Sequence, residues 1–161
     1  MKIIPSEFSN SAWDCFLFSK KIALNNFQQN VDPENLLLAI IKEDILARKI
    51  LENNQVDIKS IGIKLNALLK AKTKMKNKQK SLYIGKTLND VFLKSNDLRV
   101  SFDEVVISIK HLLYGLSYDG VCGKLILNKK EIPEFLEIIN KMKTDPINKN
   151  NFENSNESLE K

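Results

Sequence analysis

Glycine and proline are scarce in this 161-residue chain, at five and four residues. So few backbone breakers argue against a turn-rich β fold and for helices. Cysteine is nearly absent. Cys15 and Cys122 lie far apart, without the dense, even spacing of a disulfide framework. They read as small buried hydrophobes in a reducing compartment. No stretch approaches the ~18 apolar residues that a membrane span needs. The start, Met1 to Glu7, has no apolar core of a secretory signal. The cytoplasm is therefore the expected address, with no membrane partner. His111 is the single histidine, and no Cys, His or carboxylate stands near it at metal-ligand spacing.

Apolar residues, by contrast, make up 43% of the chain. A chain of about 150 residues buries roughly 68–70% of the surface its unfolded form exposes, so a real core is expected. The formal net charge is +5. That permits an anionic partner without requiring one.

Four helical patterns occupy the first half. Ser9 is an N-cap, with Phe8 before it as a hydrophobic staple, and Ala12, Phe16, Ser19, Lys20 and Ala23 recur on one face. Asp32-Pro33-Glu34 opens the second helix with a cap, a proline at the first helical position and an acid at the positive dipole end. Its stripe of Leu36, Leu37, Ile40 and Ile41 places it near the centre of its unit. A third helix runs from about Asp44 to Asn54, with Leu46, Ala47, Ile50 and Leu51 inward. Asp57 caps a fourth, with Ile58, Ile61, Leu65, Leu68 and Leu69 inward. From Lys70 to Lys80 lysine takes every second position, which reads as a solvated connector.

The second half repeats the first. A shift of 76 residues lays Asp32–Ile40 on Ser108–Leu116 and Ala47–Leu51 on Gly123–Leu127. It also lays Ser9 on Gly85, Ala12 on Leu88 and Phe16 on Phe92. One constant offset that aligns cap, stripe and small residue marks a duplicated supersecondary unit. The fourth helices need a slipped register, because Glu131-Ile132-Pro133 opens the last one. The expected fold is all-α: a pseudo-twofold tandem repeat of two four-helix units, about eight helices. The first repeat covers about 8–71, the connector 72–84 and the second repeat 85–143, together a domain over 1–143. Residues 144–161, rich in Asn, Lys, Glu and Ser, read as a flexible linker.

Chemistry is mostly missing. Gly85-Lys86-Thr87 resembles the end of a phosphate-binding loop, but the position five before Gly85 is Lys80 rather than Gly, and the residues before it are the lysine-rich connector where such a loop needs a buried strand. Asp103 and Glu104 are adjacent, so on a regular element they point apart. No aromatic residues interleave the basic stretch as single-strand nucleic-acid binders require. Nothing local supports a Ser–His–Asp set.

Four runs carry a family resemblance. Asp32-Pro33-Glu34-Asn35-Leu36-Leu37-Leu38-Ala39-Ile40-Ile41 resembles the "PEHLLLALL" helix of Clp N-terminal repeats, and Leu46 to Glu52 resembles the "ARRILE" helix after it. Ile107 to Leu113 is similar to the second-repeat "ISVEHLL", and Glu157 to Lys161 to the junction where ClpB-type disaggregases enter their first ATPase module. The chain thus resembles the N-terminal domain plus linker of a ClpB-type unfoldase; ClpC-type unfoldases share the domain.

The resemblance implies a non-catalytic module that engages unfolded or aggregated polypeptide through an apolar groove between the repeats. The alternative it implies is an adaptor-docking or standalone accessory protein of a Clp protease complex. The chain itself is expected to need no cofactor and no metal, with ATP and Mg belonging to other domains of the parent. That parent is expected to be a hexamer working with a DnaK-type chaperone, and the isolated domain a monomer without a heptad seam. Nucleic acid is not an expected partner. The groove residues implied are Ser9, Leu88, Phe92, Glu104, Lys110 and His111. Ser9 stands where relatives carry Thr, Glu104 where they carry Asp, and Lys110 reverses their Glu. Lys110 is then either a charge that favours acidic segments or a solvated first-turn residue, and Ser9 either a rim hydroxyl or only a cap.

Overall fold

The computed structural model describes residues 2–142. The expected linker over 144–161 lies outside them. A 3-10 turn at Pro5–Glu7 leads into α1 (Asn10–Asn25), α2 (Pro33–Glu43), α3 (Ile45–Asn53) and α4 (Ile58–Lys70). The second set is α5 (Lys86–Ser101), α6 (Ile109–Ser117), α7 (Cys122–Ile126) and α8 (Ile132–Ile139). The fold is the all-α repeat of two four-helix units.

Local signals set most helix starts. Ser9 Oγ accepts from the Ala12 amide at 3.2 Å, and Phe8 packs on Trp13 with ring centroids 5.7 Å apart, which closes the staple. Asp44 Oδ1 accepts from Ala47 N at 2.7 Å and Asp57 Oδ1 from Ser60 N at 3.2 Å. The first and fifth helices both begin and end 76 residues apart. The later helices drift: α7 has only five residues where α3 has nine, and α8 starts with its slipped register.

The central helices are the best buried. Every residue of α2 from Pro33 to Ile41 is buried, and so is most of α6. Helices α5 and α6 approach closely at Gly115, where an added Cβ would overlap the Val91 carbonyl oxygen. The outer helices bury narrower stripes than the periodicity suggested. Leu46 and Leu68, expected inward, are 46% and 38% exposed. Helix α4 packs mainly on α2, so one seam of Ile61, Leu65 and Leu69 suffices and Leu68 falls beside it.

The two halves are interlocked by exchanged pairing. Two short strands, β1 (Asn30–Val31) and β2 (Tyr83–Ile84), pair in parallel, and Phe8 forms an isolated parallel bridge with Ile107. The Ser9 amide donates to Ile107 O at 2.9 Å, and its counterpart Gly85 donates to Val31 O at 3.3 Å. Each repeat's first-helix entry therefore pairs with the other repeat's second-helix entry. Phe16 and Phe92, equivalent by the same shift, meet edge to face at 5.5 Å near the pseudo-twofold. One hydrophobic cluster runs through both halves, so neither repeat has a core of its own.

Candidate functional site

Most of the residues expected at the site gather around the loop between α5 and α6. The loop is tightly held. Asp103 takes a left-handed conformation with φ 53°. The Glu104 amide donates to Arg99 O at 3.0 Å, and Arg99 Nη1 donates back to Glu104 O at 2.9 Å. Ile107 then bridges to Phe8, which brings Ser9 beside the entry of α6.

Polar groups at the start of α6 form a network. Lys110 Nζ donates to Glu104 Oε1 at 2.8 Å and sits 5.4 Å from the Phe102 ring centroid. His111 Nδ1 accepts from the Ser108 amide at 2.8 Å, while Nε2 faces Glu104 Oε1 at 3.3 Å without a well-formed hydrogen bond. The Nδ1 contact fixes the neutral ring with its hydrogen on Nε2. Burial lowers the proton affinity of His111, aided by Lys110 and opposed in part by Glu104. For Glu104 burial acts against ionisation, but the hydrogen bond from Lys110 and the nearby positive charges win and hold its carboxyl below the usual range.

The same shift of 76 residues finds an equivalent couple in the first repeat. Gln28 and Asn35 occupy the places of Glu104 and His111. Gln28 Nε2 donates to Asn35 Oδ1 at 3.0 Å, Asn35 Nδ2 donates to Gln28 Oε1 at 2.9 Å, and the Asp32 amide donates to Asn35 Oδ1 at 2.9 Å. Sequence reasoning passed over this couple, although the offset pointed straight at it. It also passed over Arg99 and Phe102, whose parts depend on how the loop folds back.

Of the expected groove residues, Leu88 and Phe92 have no exposed surface; Phe92 sits edge to face with Phe8 and Phe16 in the core. Ser9 and His111 are buried too. Lys110 is 7% exposed with its ammonium on Glu104, so it is neither a solvated first-turn lysine nor a free charge. The expectation that it steers acidic segments is corrected accordingly: burial against Phe102 and pairing with Glu104 cancel the reversed charge. The loop presents two apolar side chains together with the exposed Asp103. Phe102 is 41% and Val105 72% exposed on either side of Glu104.

The described surface also has clefts elsewhere. One of about 590 Å³ lies between α5 and α6, lined by Asp90, Val91, Leu93, Gly115 and Tyr118 among others. A second of about 550 Å³ adjoins it at Tyr118 and Asp119. Neither is lined by the expected groove residues. Among the described residues no cluster of His, Cys, Asp and Glu is placed to hold a metal ion, and no helix is long and apolar enough to cross a membrane.

Comparison with known proteins adds to this geometry. The family described as Clp repeat (R) N-terminal domain matches residues 7–129. The chaperone protein ClpB of Prochlorococcus marinus is 34% identical over 137 residues, which is 84% of this chain and 16% of that protein. Chaperone protein ClpB 2 of Synechocystis is 27% identical over 160 residues, 98% of this chain and 18% of that protein. The chain thus spans less than a fifth of the length of these relatives. Among solved structures, the Hsp104 N-terminal domain from Candida albicans superposes with a TM-score of 0.73 at 13% identity, covering 84% of this chain and 90% of that one. The N-terminal domain of ClpD from Arabidopsis thaliana gives 0.62 at 15% identity, covering 86% and 95%. At such identities the likeness is one of fold.

Proposed function

The chain belongs to the Clp repeat N-terminal domain family, and on that premise we propose that it is the polypeptide-engaging module of an ATP-dependent ClpB-type chaperone. It binds rather than catalyses. Unfolded or aggregated segments are its partners, and ATP, Mg and the threading step belong to other domains of a hexameric parent that works with a DnaK-type chaperone. The observation that carries this reading is the α5–α6 loop. It holds Phe102 and Val105 out to solvent beside a Glu104–Lys110 pair, on a scaffold fixed by Arg99 and the Phe8–Ile107 bridge. Exposed apolar side chains on a rigid frame bind extended apolar chains without an ordering cost in the binder. Phe92 packs on Phe8, which bridges to Ile107 at the end of the loop, and Ser9 and His111 hydrogen-bond Ile107 and Ser108 there.

The test is an NMR titration with a permanently unfolded, reduced polypeptide. Weak binding is expected, about micromolar to millimolar, with shifts concentrated at Phe102, Val105 and their neighbours. The substitution Val105→Asp, at a solvent-facing position, should abolish the shifts while the spectrum stays folded. Shifts elsewhere, or none at saturating concentrations, defeat the reading. A partner captured only as a folded protein favours adaptor docking instead.

A further inference from the structure

The hydrogen bond from the Ser108 amide at the start of α6 needs an imidazole with a free lone pair on Nδ1. Nδ1 of His111 already accepts the Ser108 amide hydrogen at 2.8 Å, with Ser108 Oγ 3.1 Å away. Nε2 carries the ring's own hydrogen. A second proton must go onto Nδ1, where the Ser108 N–H already points. Two N–H groups cannot share that line, so a protonated His111 and the Ser108 cap exclude one another.

The surrounding charges sharpen this conflict. Glu104 in the loop attracts the imidazolium, but it is already paired with Lys110, the residue next to His111 on α6. Arg99, from α5, acts against the extra positive charge. The buried carboxylate of α2, Glu34, acts on Cys122 and is held by Lys72. Helices α1, α7 and α8 also pack on α6 or its neighbours, and their buried faces are mainly apolar. One carboxylate therefore has to serve both Lys110 and a protonated His111.

We propose that the Glu104–Lys110–His111 network is an acid-sensitive latch on the polypeptide-binding loop: protonation of His111 breaks the Ser108 cap and releases residues 103–107 together with Phe102. The latch rests on the binding function proposed above, and it adds regulation to it. The first repeat provides the same geometry without the switch. Gln28 and Asn35 exchange amide hydrogen bonds, and Asn35 Oδ1 accepts from Asp32 N as His111 Nδ1 does from Ser108 N. Amides do not titrate, so that end of the molecule stays closed. Because burial lowers the proton affinity of His111, release occurs on the acid side of about pH 6.5, the usual histidine value.

The experiment measures hydrogen exchange of the Ser108 and Asp32 amides in the full chain, at about pH 7.5 and about pH 5.5, across histidine's titration range. Taking their ratio cancels the intrinsic pH dependence of exchange. Ser108 protection should fall relative to Asp32, by up to about tenfold for each pH unit once protonation drives opening. The double variant E104Q/H111N transplants the first-repeat couple and should keep the ratio constant; H111N alone serves if the double variant folds poorly. Binding of the reduced, unfolded polypeptide should shift several-fold with pH in the parent chain and stay flat in the variant. A ratio that does not move, or a ring that titrates while Ser108 stays protected, overturns the latch. Opening without polypeptide binding at either pH leaves the latch intact and overturns the binding function.

Discussion

Two places in the molecule that the duplication makes equivalent are built from different chemistry. In the first repeat a neutral couple, Gln28 and Asn35, ties the turn after α1 to the start of α2. In the second a carboxylate and an imidazole tie the turn after α5 to the start of α6, with Lys110 added. The fold requires a donor and an acceptor at these two positions, and it is indifferent to their charge. An amide couple meets the need without desolvating an ion. The ionisable set costs more to bury and responds to pH in return. The first repeat has its own ion pairs with a more exposed ammonium: Lys72 from the connector reaches Asp32 at 3.0 Å and Glu34 at 3.4 Å. That contact also corrects the picture of a wholly solvated connector, as does the Met75 amide donating to Phe27 O at 2.8 Å.

The comparison presumes one cooperative unit, and its sharpest test is the aromatic contact between the halves. Phe92→Ala should cost about 3–5 kcal/mol, the usual range for a fully buried aromatic. Phe16→Ala should cost somewhat less, since Phe16 keeps a little exposure and a cation, Lys20, at its face. Urea unfolding followed by circular dichroism should show a single transition for both. A biphasic curve, with one repeat melting first, would break the claim that the exchanged pairing fuses the repeats.

The next effect separates the two couples by pH. The folded chain lowers the proton affinity of His111. In the unfolded chain the ring takes up a proton near pH 6.5. The unfolded state then binds more protons, so stability present above about pH 6.5 is lost as pH falls toward the folded value. Each unit of depression is worth about 1.4 kcal/mol. Glu104 adds a lower window: its carboxyl is depressed, so its contribution is present above the usual range near 4.5 and lost as pH falls through the folded value. Thermal melts across this range should slope for the parent chain. For E104Q/H111N the part due to these groups should vanish. An unchanged slope would mean that the two couples differ in name only.

These outcomes bear on what a sequence can disclose. The caps at Ser9 and Asp32 and the offset of 76 residues located both pairs of leading helices, because capping and periodicity are written in the residues themselves. The offset fails after α7, which shrinks to five residues and is followed by a turn unlike the one after α3. Burial was the part least legible at the site. Ser9, Glu104, Lys110 and His111 do converge, but their exposure depends on a loop that Arg99 folds back and on Phe8 arriving from the chain's start. Phe92 was expected in the groove through the resemblance alone, and no local pattern shows that Phe8 and Phe16 cover it.

A smaller effect probes the first repeat's ion pairs. Lys72→Ala removes the partner of Asp32 and Glu34 and should cost about 0.5–1 kcal/mol, since the group is partly solvated. Burial opposes the charge on Lys72, but both carboxylates outweigh it and raise its proton affinity. Its contribution is therefore full below the usual lysine value near 10.5 and lost above the folded one. High salt should shrink the difference between variant and parent. Lys110→Ala, by contrast, should cost more and respond less to salt, because its pair with Glu104 is better buried. Equal salt responses would erase that distinction between repeats.

The smallest effect lies where the duplication breaks down. After α1 and α5 the chain turns through equivalent left-handed residues, Phe27 with φ 57° and Asp103 with φ 53°. After α3 it does so at Gln55 with φ 61°, but after α7 it uses two residues, Asn128 and Lys129. Helix α7 ends early, at Ile126, and α8 starts at Ile132, 74 rather than 76 residues after Ile58; the second repeat is shorter here, and that is its slipped register. Gln55 is exposed, so its side chain contributes little beyond the strain of its backbone. Gln55→Gly should therefore raise stability by a few tenths to about 1 kcal/mol, as glycine relieves the left-handed strain at a helix C-terminus. The same replacement at Lys129 relieves one of two strained residues while Asn128 keeps the turn, so its gain should be no larger. Paired melts of the two variants decide the matter. A loss at Gln55, or a larger gain at Lys129, would show that side-chain contacts rather than backbone strain govern these turns.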